Sequence, residues 1–452
     1  MDEKIEYLEK EIKSLLENKK YHDLRKLLEE ENEADLAEVF ETINNNENVV
    51  LLFRLLPKDE AAEVFAYLPI DQQQTLIQSL SNTEVGQILN DLNSDDAVDM
   101  LEEMPANVVK KILALADPQT RQDINSLLQY PEDSAGSIMT VEFIDLRSFM
   151  TINDAIERIR KKGIDSETIN YCYVTDGQKH LLGVISLREI ILAKPEEKIE
   201  DLMDDNIIIV TTLQDQEEVA KLFKKYDFAA MPVVDQENRL VGIITVDDVM
   251  DILEEEVTED IEKMAAITPN DQPYMKTSVL ETYKKRIPWL LLLMISASIT
   301  GKIIQGFETA LASCVVLTAF IPMLMDTGGN CGSQASVSVI RALSLDELDF
   351  HELPLVIWKE FRVSFLIGLT LALCNFLKVI VVDRVSITIA FVVCFTLFLT
   401  VITAKLVGCV LPVIASKLGF DPAVMASPFI TTIVDALSLL LFFNIAAVFL
   451  GI

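Results

Sequence analysis

DPAVMASPFITTIVDALSLLLFFNIAAVFLGI occupies residues 421–452. From Ala423 onward it is apolar, and an apolar run of about 20 residues crosses a bilayer as a helix. One charge interrupts it, Asp435, near the middle of the span. A carboxylate at a helix centre costs about 2.5–3.5 kcal/mol on insertion, so it is expected to face a water-filled path. A buried Asp435 that only hydrogen-bonds another helix is the plainer alternative. The rest of the chain reads as a device around this residue.

Apolar segments place five expected spans at about 287–308, 311–339, 355–382, 385–415 and 423–450. Lys284, Lys285, Arg286, Arg341, Lys359, Arg362 and Lys417 fall on one side, and Lys302, Lys378 and Arg384 on the other. That bias puts the amino terminus in the cytoplasm and the carboxyl terminus outside. Lys302 and Lys378 lie near span ends, from which they can snorkel. Lys405 is a second intramembrane charge with no role assigned from sequence. Span two is unusual: Ile321-Pro322-Met-Leu-Met-Asp326 leads into Thr327-Gly328-Gly329-Asn330-Cys331-Gly332-Ser333-Gln334. Such backbone is tolerated in a membrane only against protein or a wet cavity, and small residues let helices approach closely. Spans two and five are therefore expected to meet.

The 452 residues allow three or four domains. Of the 38 Lys/Arg and 71 Asp/Glu, residues 287–452 hold eight and ten; the 286 residues before them hold 30 and 61, a net of −31. An acidic body of this size repels nucleic-acid phosphates and attracts cations, divalent ones most strongly. The six cysteines form no C-x-x-C pair and five lie in the apolar half, so neither a zinc site nor a disulfide framework is suggested. Met1-Asp2-Glu3-Lys4 lacks the basic flank and apolar core of a signal peptide, and the acidic half is expected in the cytoplasm.

Between the two halves, Asp247 to Glu262 carries Val249, Ile252, Leu253, Val257 and Ile261 at helical spacing against an almost wholly carboxylate face. Like charges three and four apart repel by a few tenths of a kcal/mol per pair. Bound Mg²⁺ or Ca²⁺, which prefer carboxylate oxygens, would remove that repulsion; a solvated acidic face is the alternative. Pro269 and Pro273 are expected to end this helix.

Residues 137–253 contain a repeat. Cys172-Tyr-Val-Thr-Asp176 matches Met231-Pro-Val-Val-Asp235, and Leu181-Leu-Gly-Val-Ile-Ser186 matches Leu240-Val-Gly-Ile-Ile-Thr245. Upstream, Ser137-Ile-Met139 matches Asp201-Leu-Met203 at a larger offset, so the copies differ by a five-residue insertion. Each copy reads as strand, helix, two strands, helix. The closing pattern, apolar-x-Gly-apolar-apolar-Ser/Thr-x-x-Asp/Glu, resembles the CBS domain. That resemblance implies adenine-nucleotide binding, with Ser186 and Glu189 in copy one and Thr245 and Asp248 in copy two facing a ribose; helix capping is the alternative for both hydroxyls. Glu stands in copy one where the pattern has Asp.

From residue 51, turn signals recur every twelve residues: Pro57, Pro69, Ser81, Asn93, Pro105, Asp117-Pro118. They bracket short apolar-periodic runs. Helices of about two turns cannot bury a core alone, so a stacked helical repeat is expected. The paired acids Asp59-Glu60 and Asp95-Asp96 follow turn signals, as suits helix N-termini.

Asp-x-Gly-Gly-Asn-x-Gly-x-Gln at 326–334, with Asp421-Pro-Ala and Thr431-Thr432-Ile-Val-Asp435, resembles the MgtE family of magnesium channels and transporters, over essentially the whole chain. The resemblance implies a multidomain fold: an all-α helical-repeat N domain (1–130), an α/β tandem CBS module (131–200 and 201–253), a long acidic connecting "plug" helix (247–275) and an α-helical membrane domain (276–452) with five transmembrane helices. It implies a homodimer in the lipid bilayer of the plasma membrane, with the ion path between subunits. Asp435, Asp421, Asp326 and Asn330 are the path candidates. Regulatory Mg²⁺ candidates are Asp91, Asp95, Asp215, Glu217, Asp227, Asp248, Asp251, Glu256, Glu259 and Asp260. Some members bind ATP, which adds Arg188 and Phe228 to Ser186, Glu189, Thr245 and Asp248 as nucleotide candidates.

The expected function is Mg²⁺ uptake through a selective channel that cytosolic Mg²⁺ closes. A CBS-gated anion channel would need a positive path, against Asp326, Asp421 and Asp435. A membrane-bound Mg²⁺ or nucleotide sensor would change shape without flux. An enzyme is least expected: no nucleophile–base pair or phosphate-binding glycine loop is present, and His22, His180 and His351 are scattered.

Overall fold

The computed structural model describes residues 3–451 other than 44, 103, 271–273, 276, 346 and 426, and omits the side chains at 3, 59, 310 and 427. Two compact units result, Met1–Leu253 and Glu254–Ile452.

The first unit opens with short helices running from Glu3–Glu17 to Pro118–Leu127. Pro57, Pro69, Ser81, Pro105 and Asp117 occupy N-cap positions, and Asn93 directly precedes the helix Ser94–Glu102. Ser81 forms a reciprocal capping box with Glu84, which satisfies two backbone donors at once. The prolines cap differently: they lose no helical hydrogen bond there and stop the preceding helix. Each short helix buries its apolar stripe on its neighbours, in one core that includes Phe40, Phe65, Leu76 and Leu101.

The repeat follows as two three-stranded sheets. β1 (Asp145–Arg147), β2 (Tyr171–Thr175) and β3 (Leu181–Ser186) form one; β4 (Val210–Thr211), β5 (Ala230–Val234) and β6 (Leu240–Thr245) form the other. In each, the first pair is parallel and the second antiparallel. The two copies interlock. A Cβ on Gly183 of copy one would lie 2.7 Å from Met203 Sδ, and one on Gly242 of copy two 2.6 Å from Met139 Sδ. Each copy's leading methionine thus sits on the other copy's glycine, which explains why both closing motifs need glycine there. Backbone bonds Thr140–Ile243 and Asp204–Val184 repeat the exchange.

The insertion is also located. Residues 163–170 join the helix Ile152–Lys162 to β2, whereas only 227–229 join Gln216–Tyr226 to β5.

In the second unit, Val279–Gly306, Phe350–Val381, Ile387–Lys417 and Pro422–Leu450 are long and apolar enough to cross a membrane. The fifth candidate, Ile321–Ser344, has the length but carries the polar and glycine motif. Two sequence expectations are corrected. The span expected from 311 is broken into a short helix, Glu308–Ser313, and a 3₁₀ turn, Val315–Phe320; the long helix starts at Ile321 because Pro322 fits only a first turn. The connecting helix runs Val246–Met264, not to 275. Ala266 takes a left-handed conformation (φ 55°), and the N–H groups of Ile267 and Ala266 donate to the carbonyls of Glu262 and Lys263. This is a Schellman stop, reached before Pro269. Pro273 lies outside the described residues.

Candidate ion path and acidic sites

The helix Ile321–Ser344 has two faces of opposite character. Gly328, Gly329, Gly332, Ala335 and Ser336 are buried. A Cβ on Gly328 would lie 2.8 Å from Thr400 Cγ2 and 2.9 Å from Val434 Cγ1, and one on Gly332 2.7 Å from Ile430 Cγ2. Only glycine lets this helix close on Ile387–Lys417 and Ser427–Leu450. The other face shows Asp326, Asn330 and Gln334, one turn apart and exposed. One motif therefore encodes a packing face and a polar face. Asp435 is half-buried on Ser427–Leu450, and Asp326 is the charge that acts on it. Spans two and five do meet.

Lys405 is 5 % exposed and lies 3.6 Å from Glu360 Oε2 of the helix Leu353–Val381. Sequence reading left Lys405 without a role and passed over Glu360; Lys405 is a lone charge inside its apolar span, Glu360 is an acid flanked by Lys359 and Arg362, and opposite sign was the available signal.

Asp421 holds the turn before the last helix: its Oδ1 accepts the Ala423 N–H at 2.7 Å. Its Oδ2 is 2.7 Å from Lys263 Nζ, which also reaches Glu259 Oε1 at 2.6 Å. Asp260 accepts from Ser344 Oγ at 3.3 Å.

In the first unit, Asp95 and Asp248 come together with acids that sequence reading did not select: Asp96, Glu142, Glu167 and Asp247. Asp95 is buried, and desolvation with repulsion from Asp248, Asp96 and Glu167 raises its carboxyl well above the ordinary range. Burial, with repulsion from Asp248, Asp247 and Glu142, pushes Asp96 up to about 6; burial, with repulsion from Asp247 and Asp251, does the same to Asp248; and burial, with repulsion from Asp247, Asp248 and Asp96, pushes Glu167 up to about 7. Glu167 lies on the five-residue insertion, which is the signal that could have found it. It accepts from Asn93 Nδ2. Glu142 Oε2 accepts from Ser94 Oγ at 2.7 Å and from Thr140 Oγ1 at 2.5 Å.

Groups whose folded pKa is raised bind protons more tightly when folded, so their contribution is favourable at low pH and lost as pH rises through about 6–7. In thermal unfolding of the intact chain in detergent without divalent ions, Tm is expected to fall by about 5 °C between pH 5.5 and pH 8, and added Mg²⁺ to restore it. A Tm that rises over that interval contradicts the cluster's role.

Other candidates are placed more simply. Asp215 caps the helix Gln216–Tyr226, Glu217 pairs with Lys221 at 2.9 Å, and Asp227 is the left-handed residue after that helix. Asp91 ends the helix Asn82–Asp91; Asp251 and Glu256 lie on the connecting helix. Among the described residues, no three of His, Cys, Asp or Glu converge at metal-ligand spacing. Ser186 and Glu189 bond each other in a capping box, with Arg188 exposed beside them. Thr245 Oγ1 donates to Asp248 at 2.6 Å, and Phe228 stacks on Tyr226. Helix capping accounts for the Ser186 hydroxyl, and the bond to Asp248 for that of Thr245.

Residues 321–445 match the MgtE divalent cation transporter family, 31–133 the MgtE intracellular N domain, and 135–196 and 199–255 the CBS domain. The magnesium transporter MgtE of Bacillus subtilis is 39% identical over 380 residues, 84% of this chain and 83% of that one. That of Thermus thermophilus is 38% identical over 366 residues, 79% of each. A crystal structure of the cytosolic domain of the Mg²⁺ channel MgtE in complex with ATP matches at TM-score 0.51 and 38% identity, covering 53% of this chain and 98% of that one. With a polar-faced helix closed by glycine on two apolar ones, and with relatives this similar over most of its length, the chain belongs to the MgtE family of divalent cation transporters.

Proposed function

We propose that this protein is a Mg²⁺-selective channel for uptake across the plasma membrane, closed when Mg²⁺ binds its cytoplasmic acidic domains. It moves an ion and makes or breaks no bond. The observation that carries the reading is Asp435 beside Asp326 at the exposed polar edge of bilayer-length helices. Lipid cannot solvate that edge, so it must face water or a second copy. A homodimer supplies both: two-fold symmetry sets two Asp435 carboxylates about one axis, a formal −2 against a +2 ion. Mg²⁺ dehydrates reluctantly, so a path with one or two carboxylates and polar groups such as Asn330 suits an ion that keeps its waters. Asp421 guards the cytoplasmic mouth, the amino terminus is inside and the carboxyl terminus outside.

Residues 1–253 and the connecting helix act as the sensor, and residues 276–452 as the conductor. Asp95, Asp248 and their neighbours suit bound Mg²⁺ because they are buried acids that repel one another, and a divalent cation would offset that repulsion. A ligand shifts the gate only if it binds one state better; carboxylates brought together in the closed state meet that condition. ATP is a second regulator in this reading, held by Thr245, Asp248 and Phe228 with Arg188, in keeping with the ATP complex of the related cytosolic domain.

The test is Mg²⁺ flux into vesicles holding the purified chain, with Mg²⁺ varied on the side of the acidic domains. Flux that falls as this Mg²⁺ rises is expected. Flux that ignores it removes the sensor role, and no flux at any concentration removes the channel.

A further inference from the structure

The connecting helix Val246–Met264 carries nine acidic residues and one basic one, Lys263. That single base is the residue that meets the membrane helices' acidic mouth. Its ammonium is 2.7 Å from Asp421 Oδ2 and 2.6 Å from Glu259 Oε1, and its side chain is 23 % exposed. The contact is held from several directions. Asp421 is fixed by its own turn through the Ala423 N–H. Met264 packs on buried Ile340 and Ala423. Asp260, one turn back, accepts from Ser344 at the end of the polar-faced helix. The Schellman stop turns the chain immediately after Met264, and Lys285 donates to the Pro269 carbonyl and Asn270 Oδ1. The end of the helix is thus pinned at Lys263 on both sides.

We infer that Lys263 is a tethered cation of the closed gate: it occupies the Asp421 carboxylate at the cytoplasmic mouth and holds the end of the connecting helix on the membrane domain without any metal. This rests on the gating reading above and deepens it. An ammonium offers one charge and three donors to the same oxygens that attract a divalent ion. While it is there, the Asp421 carboxylate is neutralised and unavailable to a passing Mg²⁺. Opening must break the pair and return Asp421 to the ion. Part of the closing free energy is then built into the chain, so less bound Mg²⁺ is needed to shut the path. Lys263 acts through Asp421 and the helix end; it is a positioning residue for the gate.

The same vesicle flux measurement on K263M, K263R and K263E tests this. At very low Mg²⁺ on the acidic side, where the gate is open, K263M should conduct as the parent does. The Mg²⁺ needed for half-closure should rise about fivefold in K263M, the scale of one partly exposed ion pair. It should rise further in K263E, which sets a carboxylate against Asp421, and return toward the parental value in K263R. A merely structural role would lower folded yield or flux without moving the half-closing concentration. A parent that closes while K263M closes at the same concentration overturns this inference alone. A parent that ignores Mg²⁺ overturns the gating reading and this inference with it.

Discussion

Asp435→Ala is expected to reduce Mg²⁺ flux to the leak of protein-free vesicles. Two unit charges 4 Å apart interact by about 4 kcal/mol at an effective dielectric constant of 20, and even half of that exceeds a tenfold change in occupancy. The ion is divalent and a dimer loses two carboxylates, so a loss of about 100-fold or more follows. The neighbouring Asp326 stays on the adjacent helix, and its carboxylate keeps some attraction for cations. Asp435→Asn separates the parts of the effect: it keeps the shape and one acceptor but no charge. If charge is the agent, Asn should fail nearly as badly as Ala, and Asp435→Glu should retain part of the flux. Parental flux through Asp435→Ala would remove Asp435 from the path and leave it as a buried hydrogen-bonding group.

The largest expected effect on stability is at Lys405. Its ammonium is buried 3.6 Å from Glu360, so Lys405→Ala leaves a carboxylate buried without its counter-charge. Removing one partner of such a pair costs about 3–5 kcal/mol, because the remaining charge must be desolvated alone. Thermal unfolding in detergent should show Tm lower by about 10 °C. Replacing both residues by apolar ones of similar size, K405M with E360L, should recover most of the loss, since an apolar pair needs no counter-charge. A double variant as unstable as Lys405→Ala would mean that the pair also holds a water or ion, and a parental Tm in the single variant would mean that the pair is solvated.

Some of this protein was decided by local chemistry. The twelve-residue turn spacing placed helix starts at Pro57, Pro69, Ser81, Pro105 and Asp117, because proline and short polar side chains fit N-caps wherever they occur. The closing motifs of the repeat gave its strands and its following helices, since alternation and capping act within a few residues. Bilayer-length apolar runs and the position of Asp435 needed nothing beyond counting.

Other features depend on what the fold brings near. Residue order does not show that Met139 sits on Gly242 and Met203 on Gly183, because the copies exchange their leading segments. Glu167 and Glu142 join Asp95 and Asp248 only because the fold brings the insertion loop and the segment before β1 to them. Lys405 acquires its meaning from Glu360 on another helix. The end of the connecting helix was misplaced because Ala266, a residue that seldom adopts positive φ, takes the left-handed turn where Gly would have announced it. Sequence alone thus determined which segments cross, cap and repeat, through interactions spanning a turn or two of chain. Tertiary structure decided which charges meet, because electrostatic and packing partners are set by distance in space, which local pattern does not encode.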